Sequence, residues 1–204
     1  MSFLRNRKVQ KKMEENQIIE AIKRARKGIG QYLAIMELFP IVDVSTDCDF
    51  QRQFNAFYRI RQRPREWYEQ YYSYMERNKK ADILFEQVLD YLFETLRRYE
   101  PSFSSKLAAT INPNQPVWDS FVLQNTGQRP PSYAANNRIE RAKEVFQNIR
   151  QWYENQMQSE EAQLIIATFN RLVEEHEQIT DLKKIDFVLW QTRPRNPLQR
   201  LDRE

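Results

Sequence analysis

Ile18, Ile19, Ile22, Ala25 and Ile29 recur at the spacing of one helix face behind Asn16, and Tyr32, Leu33, Ile35 and Met36 carry that stripe on until Pro40. Gly28-Ile29-Gly30 interrupts it, so the pattern predicts two helices meeting there. Segment 41–48 reads as a connector in which Ser45, Thr46 or Asp47 caps a helix carrying Phe50, Phe54, Phe57 and Tyr58. Pro64 suits the first turn of another, with Trp67, Tyr68, Tyr71, Tyr74 and Met75 as its apolar face. A longer helix is expected over 80–99, with Ile83, Leu84, Val88, Tyr91, Leu92 and Thr95 on one side and an end before Pro101. A tight corner at 100–103 then leads into a helix over 104–111 and an extended turn through Pro113 and Pro116. Segment 125–137, NTGQRPPSYAANN, is dense in helix breakers and reads as a loop. Two helices follow, one with Ile139, Ala142, Val145, Phe146, Ile149, Trp152 and Tyr153, the next with Leu164, Ile165, Thr168, Phe169, Leu172 and Val173. Thr180 or Asp181 caps a last short one ending at Trp190.

The periodicity therefore predicts an all-α protein, a single compact domain of about eight or nine helices over 16–190, with a basic segment over 1–15 and a polar tail over 191–204. Phe54, Phe57, Leu84, Val88, Leu92, Val145, Phe146, Phe169 and Leu172 are expected in its core. Three glycines in 204 residues agree with long helices and tight connections. Cys48 is the one cysteine and His176 the one histidine, which excludes an internal disulfide framework and a Cys/His zinc site. No metal or cofactor is expected. No apolar run approaches the roughly 20 residues of a membrane span, so a cytoplasmic protein without a membrane partner is expected.

Charge changes the picture more than composition does. The net +4 is unevenly spread: residues 1–30 hold nine Lys/Arg against three Glu, a balance of +6, and residues 50–65 hold five arginines and no acid. A chain with one basic face most often presents it to phosphate. Arg52, Arg59, Arg61 and Arg63, with Lys23, Arg24 and Lys27, are the candidate nucleic-acid contacts, and DNA is the expected partner. Phe54, Phe57 and Tyr58 lie among those arginines, where they serve either base stacking or the core. Gly28-Ile29-Gly30 behind its basic run is either a phosphate-gripping hairpin or an interhelical turn.

The stretch SFSSKLAATINPNQPVWDSFV holds the candidate chemistry. Lys106 falls near the start of the expected helix over 104–111, where the positive helix end and burial both favour the neutral, nucleophilic amine. Asp119 follows a Pro-constrained turn that can bring it back beside Lys106. The alternative roles are a solvated lysine and the N-cap of the next helix.

Ser105-Lys106-Leu107-Ala108 and Pro116-Val117-Trp118-Asp119 resemble the active-site segment of the helix-hairpin-helix base-excision DNA glycosylases. The resemblance covers roughly 25 residues, with Ser102-Phe103-Ser104 where that family carries hairpin glycines. It implies catalytic roles for Lys106, as Schiff-base nucleophile, and for Asp119, as its acidic partner. FNAFYRIRQR, the W…YY…ME run and SFSSKLAATINP with PVWD resemble, over most of the chain, a broad group of uncharacterised bacterial proteins. Three function classes follow: a glycosylase-like enzyme acting on a damaged or modified base, a nucleic-acid-binding module without catalysis, and a helical protein-interaction module.

Overall fold

A computed structural model describes residues 13–192. Among them the chain is all-α, with nine α-helices, one 3-10 turn and no strand. Helix α1 (Glu15–Leu38) packs along α9 (Asp181–Gln191), α8 (Glu160–Leu172) and α2 (Cys48–Tyr58). Helix α4 (Phe85–Leu96) packs on α5 (Pro101–Ile111), on α7 (Arg138–Met157) and, less extensively, on α3 (Arg65–Arg77). The short α6 (Ser120–Asn125) lies against α9. A 3-10 turn, His176–Gln178, links α8 to α9 and carries the single histidine.

The caps follow from residue chemistry. Asp47 accepts Phe50 N–H at 2.7 Å, Ser159 accepts Ala162 N–H at 3.1 Å, and Thr180 accepts Lys183 N–H at 3.4 Å. Each uses a short polar side chain to satisfy an orphan amide of the first turn.

Four boundaries differ from the sequence reading. Helix α1 runs unbroken through Gly28 and Gly30. Glycine in a helix costs about 1 kcal/mol relative to alanine, but the stripe Ile18, Ile22, Ala25, Ile29, Tyr32 and Ile35 is buried on both sides of the pair and its burial outweighs that cost. A Cβ on Gly28 would meet Phe187 of α9 at 3.8 Å, and one on Gly30 would meet nothing within 4 Å. There is accordingly no glycine hairpin at this point. The helix expected over 80–99 is shorter at both ends. It starts at Phe85, where the Gln87 side chain accepts Leu84 N–H at 2.8 Å, and it closes on Arg97 in the left-handed region at φ 53°. Leu84 is consequently a cap residue, 44% exposed, and not a core residue. Pro64 is the N-cap of α3, one position earlier than expected. Helix α5 begins at Pro101, whose missing N–H costs nothing in a first turn. That start places Lys106 in the second turn rather than the first.

Of the expected core, Phe54, Val88, Leu92, Phe146 and Phe169 are buried, while Phe57, Val145 and Leu172 are half-buried and packed against the core. No described helix is long and apolar enough to cross a membrane. Residues 1–12 of the basic segment and 193–204 of the tail lie outside the described residues.

Candidate active site

Lys106 and Asp119 line one cleft of about 550 Å³. A hydroxyl tether holds them in register. Ser105 Oγ accepts Trp118 N–H at 2.7 Å and donates to the Ser102 carbonyl at 3.0 Å, which fixes the Pro-rich turn against α5. Trp118 is buried and stacks on Phe85 with centroids 6.1 Å apart.

Lys106 is anchored by the end of α2. That helix stops because Arg59 adopts φ 55°, a left-handed conformation that costs a non-glycine residue about 1–2 kcal/mol. The stop leaves the Tyr58 carbonyl among the orphan acceptors of the last turn, and Lys106 Nζ donates to it at 3.1 Å. The ammonium also lies 4.9 Å from the Phe103 ring centroid and 5.9 Å from that of Tyr58. Burial pulls Lys106 from 10.5 down to about 8, opposed by the charge of Asp119 and assisted by that of Arg59. At pH 7 about a tenth of such lysines are neutral, against about one in 3,000 for an ordinary lysine. The source of this shift is burial rather than the positive start of α5, from which Lys106 is a turn removed.

Asp119 is the N-cap of α6. Its Oδ1 accepts Phe121 N–H and Val122 N–H, both at 2.8 Å, and its Oδ2 has no hydrogen bond among the described residues. One oxygen thus serves the helix while the other is not engaged by it. Burial pushes its carboxyl above the ordinary value, with the charge of Asp186 adding to the shift and the amides of Val122 and Phe121 opposing it.

A second charged group stands in the same cleft, and sequence reasoning missed it. Lys183 Nζ donates to Asp186 Oδ2 at 3.0 Å, Tyr153 donates to Asp186 Oδ1, and all three residues are buried. Burial draws Lys183 down, but Asp186, joined by Tyr58 and Tyr32, more than reverses that, so its ammonium stays charged. The signal was present in the sequence: α9 reads DLKKIDFVLWQ, and a Lys and Asp three apart in a run buried from Lys183 to Leu189 can persist only as a pair.

The remaining candidates divide cleanly. Arg24, Lys27 and Arg59 are exposed and line the cleft, and the Arg59 guanidinium lies over Trp190 at 5.4 Å. Lys23, Arg52 and Arg61 are exposed away from it, with Lys23 paired to Glu20 at 2.8 Å and Arg52 to Asp49 at 2.9 Å. Arg63 is turned inward, paired with the buried Glu100 at 3.2 Å and stacked over Phe103 at 4.7 Å. Five cations (Arg24, Lys27, Arg59, Lys106, Lys183) and two carboxylates (Asp119, Asp186) therefore line the cleft, an excess of three positive charges if all are ionised. Its walls carry Tyr58, Phe103, Phe121 and Trp190, the last two in edge contact at 6.1 Å. A second hollow of about 600 Å³ shares Tyr153, but its cations are paired, Arg150 with Glu86 and Lys184 with Asp181 at 2.9 Å.

What the cleft can do chemically is attack an electrophilic carbon with a partly neutral amine, with a carboxylate that can take up a proton on the same cleft but not ion-paired to that amine, inside an aromatic, cationic enclosure. No family model, curated protein or solved structure matches this chain.

Proposed function

We infer that the chain is a nucleic-acid-binding protein that takes a modified nucleotide into the Lys106 cleft and cleaves its glycosidic bond with Lys106 as nucleophile and Asp119 as partner. The observation that carries this reading is the meeting, on one cleft, of a lysine lowered to about 8 and an aspartate with an unbonded oxygen. Arg24, Lys27 and Arg59 at the cleft suit a phosphate backbone, and Trp190, Phe121 and Tyr58 offer faces on which an extruded base can stack.

In this reaction neutral Lys106 Nζ bonds to the anomeric carbon while the bond to the base breaks, and the base leaves with the electron pair and takes a proton from solvent. Asp119 stabilises the positive charge that develops on the sugar, then accepts a proton from the new secondary ammonium. Ring opening, with that proton passed from Asp119 to the departing ring oxygen, turns the glycosylamine into an imine, which water hydrolyses to release the lysine. Borohydride reduces that imine to a stable amine. Incubation of the protein with oligonucleotides bearing a panel of oxidised, alkylated and deaminated bases, with borohydride present, is expected to give a covalent complex lost in Lys106→Ala. No adduct with any lesion, under conditions where DNA binds, removes the catalytic part of the reading.

The capping of α6 by Asp119 favours a second reading, a binding module without catalysis. That reading predicts salt-dependent DNA binding through the same rim and no adduct.

A further inference from the structure

Five half-buried aromatic residues line the Lys106 cleft: Phe57, Tyr58, Phe103, Phe121 and Trp190. Trp190 stands in the last turn of α9, with the Arg59 guanidinium 5.4 Å from its ring centroid and Phe121 against its edge. Gln31, Ser120 and Asn125 also line the cleft, and their side chains make no hydrogen bond among the described residues. Rings and neutral polar groups in one enclosure match the two surfaces that a nucleobase presents once it is out of a pair, its face and its pairing edge. Two further observations concern the strand that would carry such a base. Only Arg24 and Lys27, a turn apart on α1, and Arg59 offer the cleft exposed cations without a carboxylate partner among the described residues, whereas a duplex-binding protein commonly neutralises about 6–10 phosphates. Prising a duplex step open takes an apolar wedge. The large apolar side chains exposed among the described residues are Ile41, Leu84, Phe93 and Tyr133, and none of them lines the cleft.

We propose that the cleft takes its nucleotide from a single DNA strand, with Trp190 as the ring on which the unpaired base stacks. This rests on the cleft being the substrate site of the proposed function, and it narrows the substrate to unpaired DNA. A base already free of its partner enters without the cost of unpairing, so a cleft with no wedge at its rim can take it. Arg24 and Lys27 hold the one phosphate backbone along α1, and Arg59 adds its charge beside the stacking ring. Stacking tolerates every base, so the preference for a single strand is separate from which modified base reacts at Lys106.

The test is fluorescence anisotropy on the full chain at roughly 0.1 M salt. The probe is one end-labelled, lesion-free oligonucleotide of about 16 nucleotides, the upper end of single-strand site sizes, used alone and annealed to its complement. The single strand is expected to bind about tenfold or more tightly than the duplex. Trp190→Ala is expected to weaken the single strand about fivefold or more, as loss of one stacked aromatic does, and to leave the duplex nearly unchanged. Because Trp190 is half-buried, Trp190→Phe is the variant that keeps both the packing and a stacking ring. It should bind the single strand nearly as well as the wild type, while the quenching of intrinsic fluorescence by the unlabelled strand is mostly lost. Trp67 and Trp118 are buried and Trp152 does not line the cleft, so that signal belongs to Trp190. Equal or tighter binding of the duplex overturns the proposal, as does quenching that is absent or unchanged in Trp190→Phe. Borohydride adducts formed as readily with a lesion in a duplex as in a single strand overturn it while leaving the proposed function standing. Single-strand preference without any adduct supports it and removes the lysine chemistry instead, and binding of neither form removes both.

Discussion

Ser105 Oγ accepts the backbone N–H of Trp118 at 2.7 Å, and the residue following each partner is one half of the candidate pair. The tether joins the second turn of α5 to a loop thirteen residues later, so the register between Lys106 and Asp119 depends on one hydroxyl. Ser105→Ala leaves a buried amide without a partner and is expected to cost about 1–3 kcal/mol in denaturant unfolding. Ser105→Thr keeps the acceptor but adds a methyl group to a buried position, and should recover part of the loss. An unchanged midpoint in Ser105→Ala would mean that the turn holds itself through Pro113 and Pro116.

How much of this was visible in the chain depends on the kind of signal. Long apolar stripes such as Ile18 to Ile35 and Val88 to Leu92 fixed the all-α class because period and burial agree along them. Boundaries were less legible. The glycine pair in α1 looked like a break only because its cost is local while the burial that overrides it is contributed by α8 and α9. Leu84 was assigned to the core by spacing alone, yet Gln87 caps the helix just after it. In the site, Lys106 and Asp119 stood close in sequence and could be paired. Lys183, Asp186 and Tyr153 come from α9 and α7 and meet them only in the tertiary structure, and Arg63 looked like a phosphate contact until Glu100 was seen beside it.

The basic face should therefore be narrower than its arginine count. Arg24, Lys27 and Arg59 line the cleft, so Arg24→Ala, Lys27→Ala and Arg59→Ala are each expected to lower the slope of log affinity against log salt by about one. Arg63→Ala should leave that slope unchanged and instead destabilise the fold, because it strands the buried Glu100 carboxylate. Titrations with one DNA at several salt concentrations, alongside thermal melts, separate the two effects. A slope change in Arg63→Ala as large as that in Arg59→Ala would contradict this division.

Lys106 gives the chain a pH dependence of definite sign. In the unfolded chain its ammonium titrates near 10.5, and in the folded chain near 8, chiefly because it is buried. Between those values the unfolded state binds more protons, so this lysine makes stability rise with pH across that window. Below pH 8 both states hold the proton and the burial penalty is at its full size. Removing the group as Lys106→Met should abolish that rise and should stabilise the protein at neutral pH. Adduct formation by the intact protein should increase as pH rises through about 8, with the slope of a single deprotonation. Unfolding midpoints and initial trapping rates from pH 6.5 to 9.5, roughly the span over which the amine changes from mostly charged to mostly neutral, check both statements.

Asp119 caps α6, and the proposed reaction gives it a second role that one substitution tells apart from the first. Asparagine caps a helix about as well as aspartate, so Asp119→Asn should keep the bonds to Phe121 and Val122 and melt close to the wild type. Asp119→Ala loses them and should cost about 0.5–2 kcal/mol. Because the Asp119 charge raises Lys106, Asp119→Asn also lowers the amine further and moves its midpoint below about 8. A larger neutral fraction at pH 7 would by itself speed attack. In the proposed reaction, however, the carboxylate stabilises the cationic sugar and takes the proton from the new ammonium, and losing such a group typically slows a reaction by about 10²–10⁴-fold. The second effect outweighs the first, since a shift of one unit changes the neutral fraction by at most about tenfold. Trapping by Asp119→Asn is therefore expected to fall steeply while its pH midpoint moves down and its melting temperature holds. If trapping instead rises with the neutral fraction, Asp119 acts on the lysine only through its charge and its remaining work is to start α6.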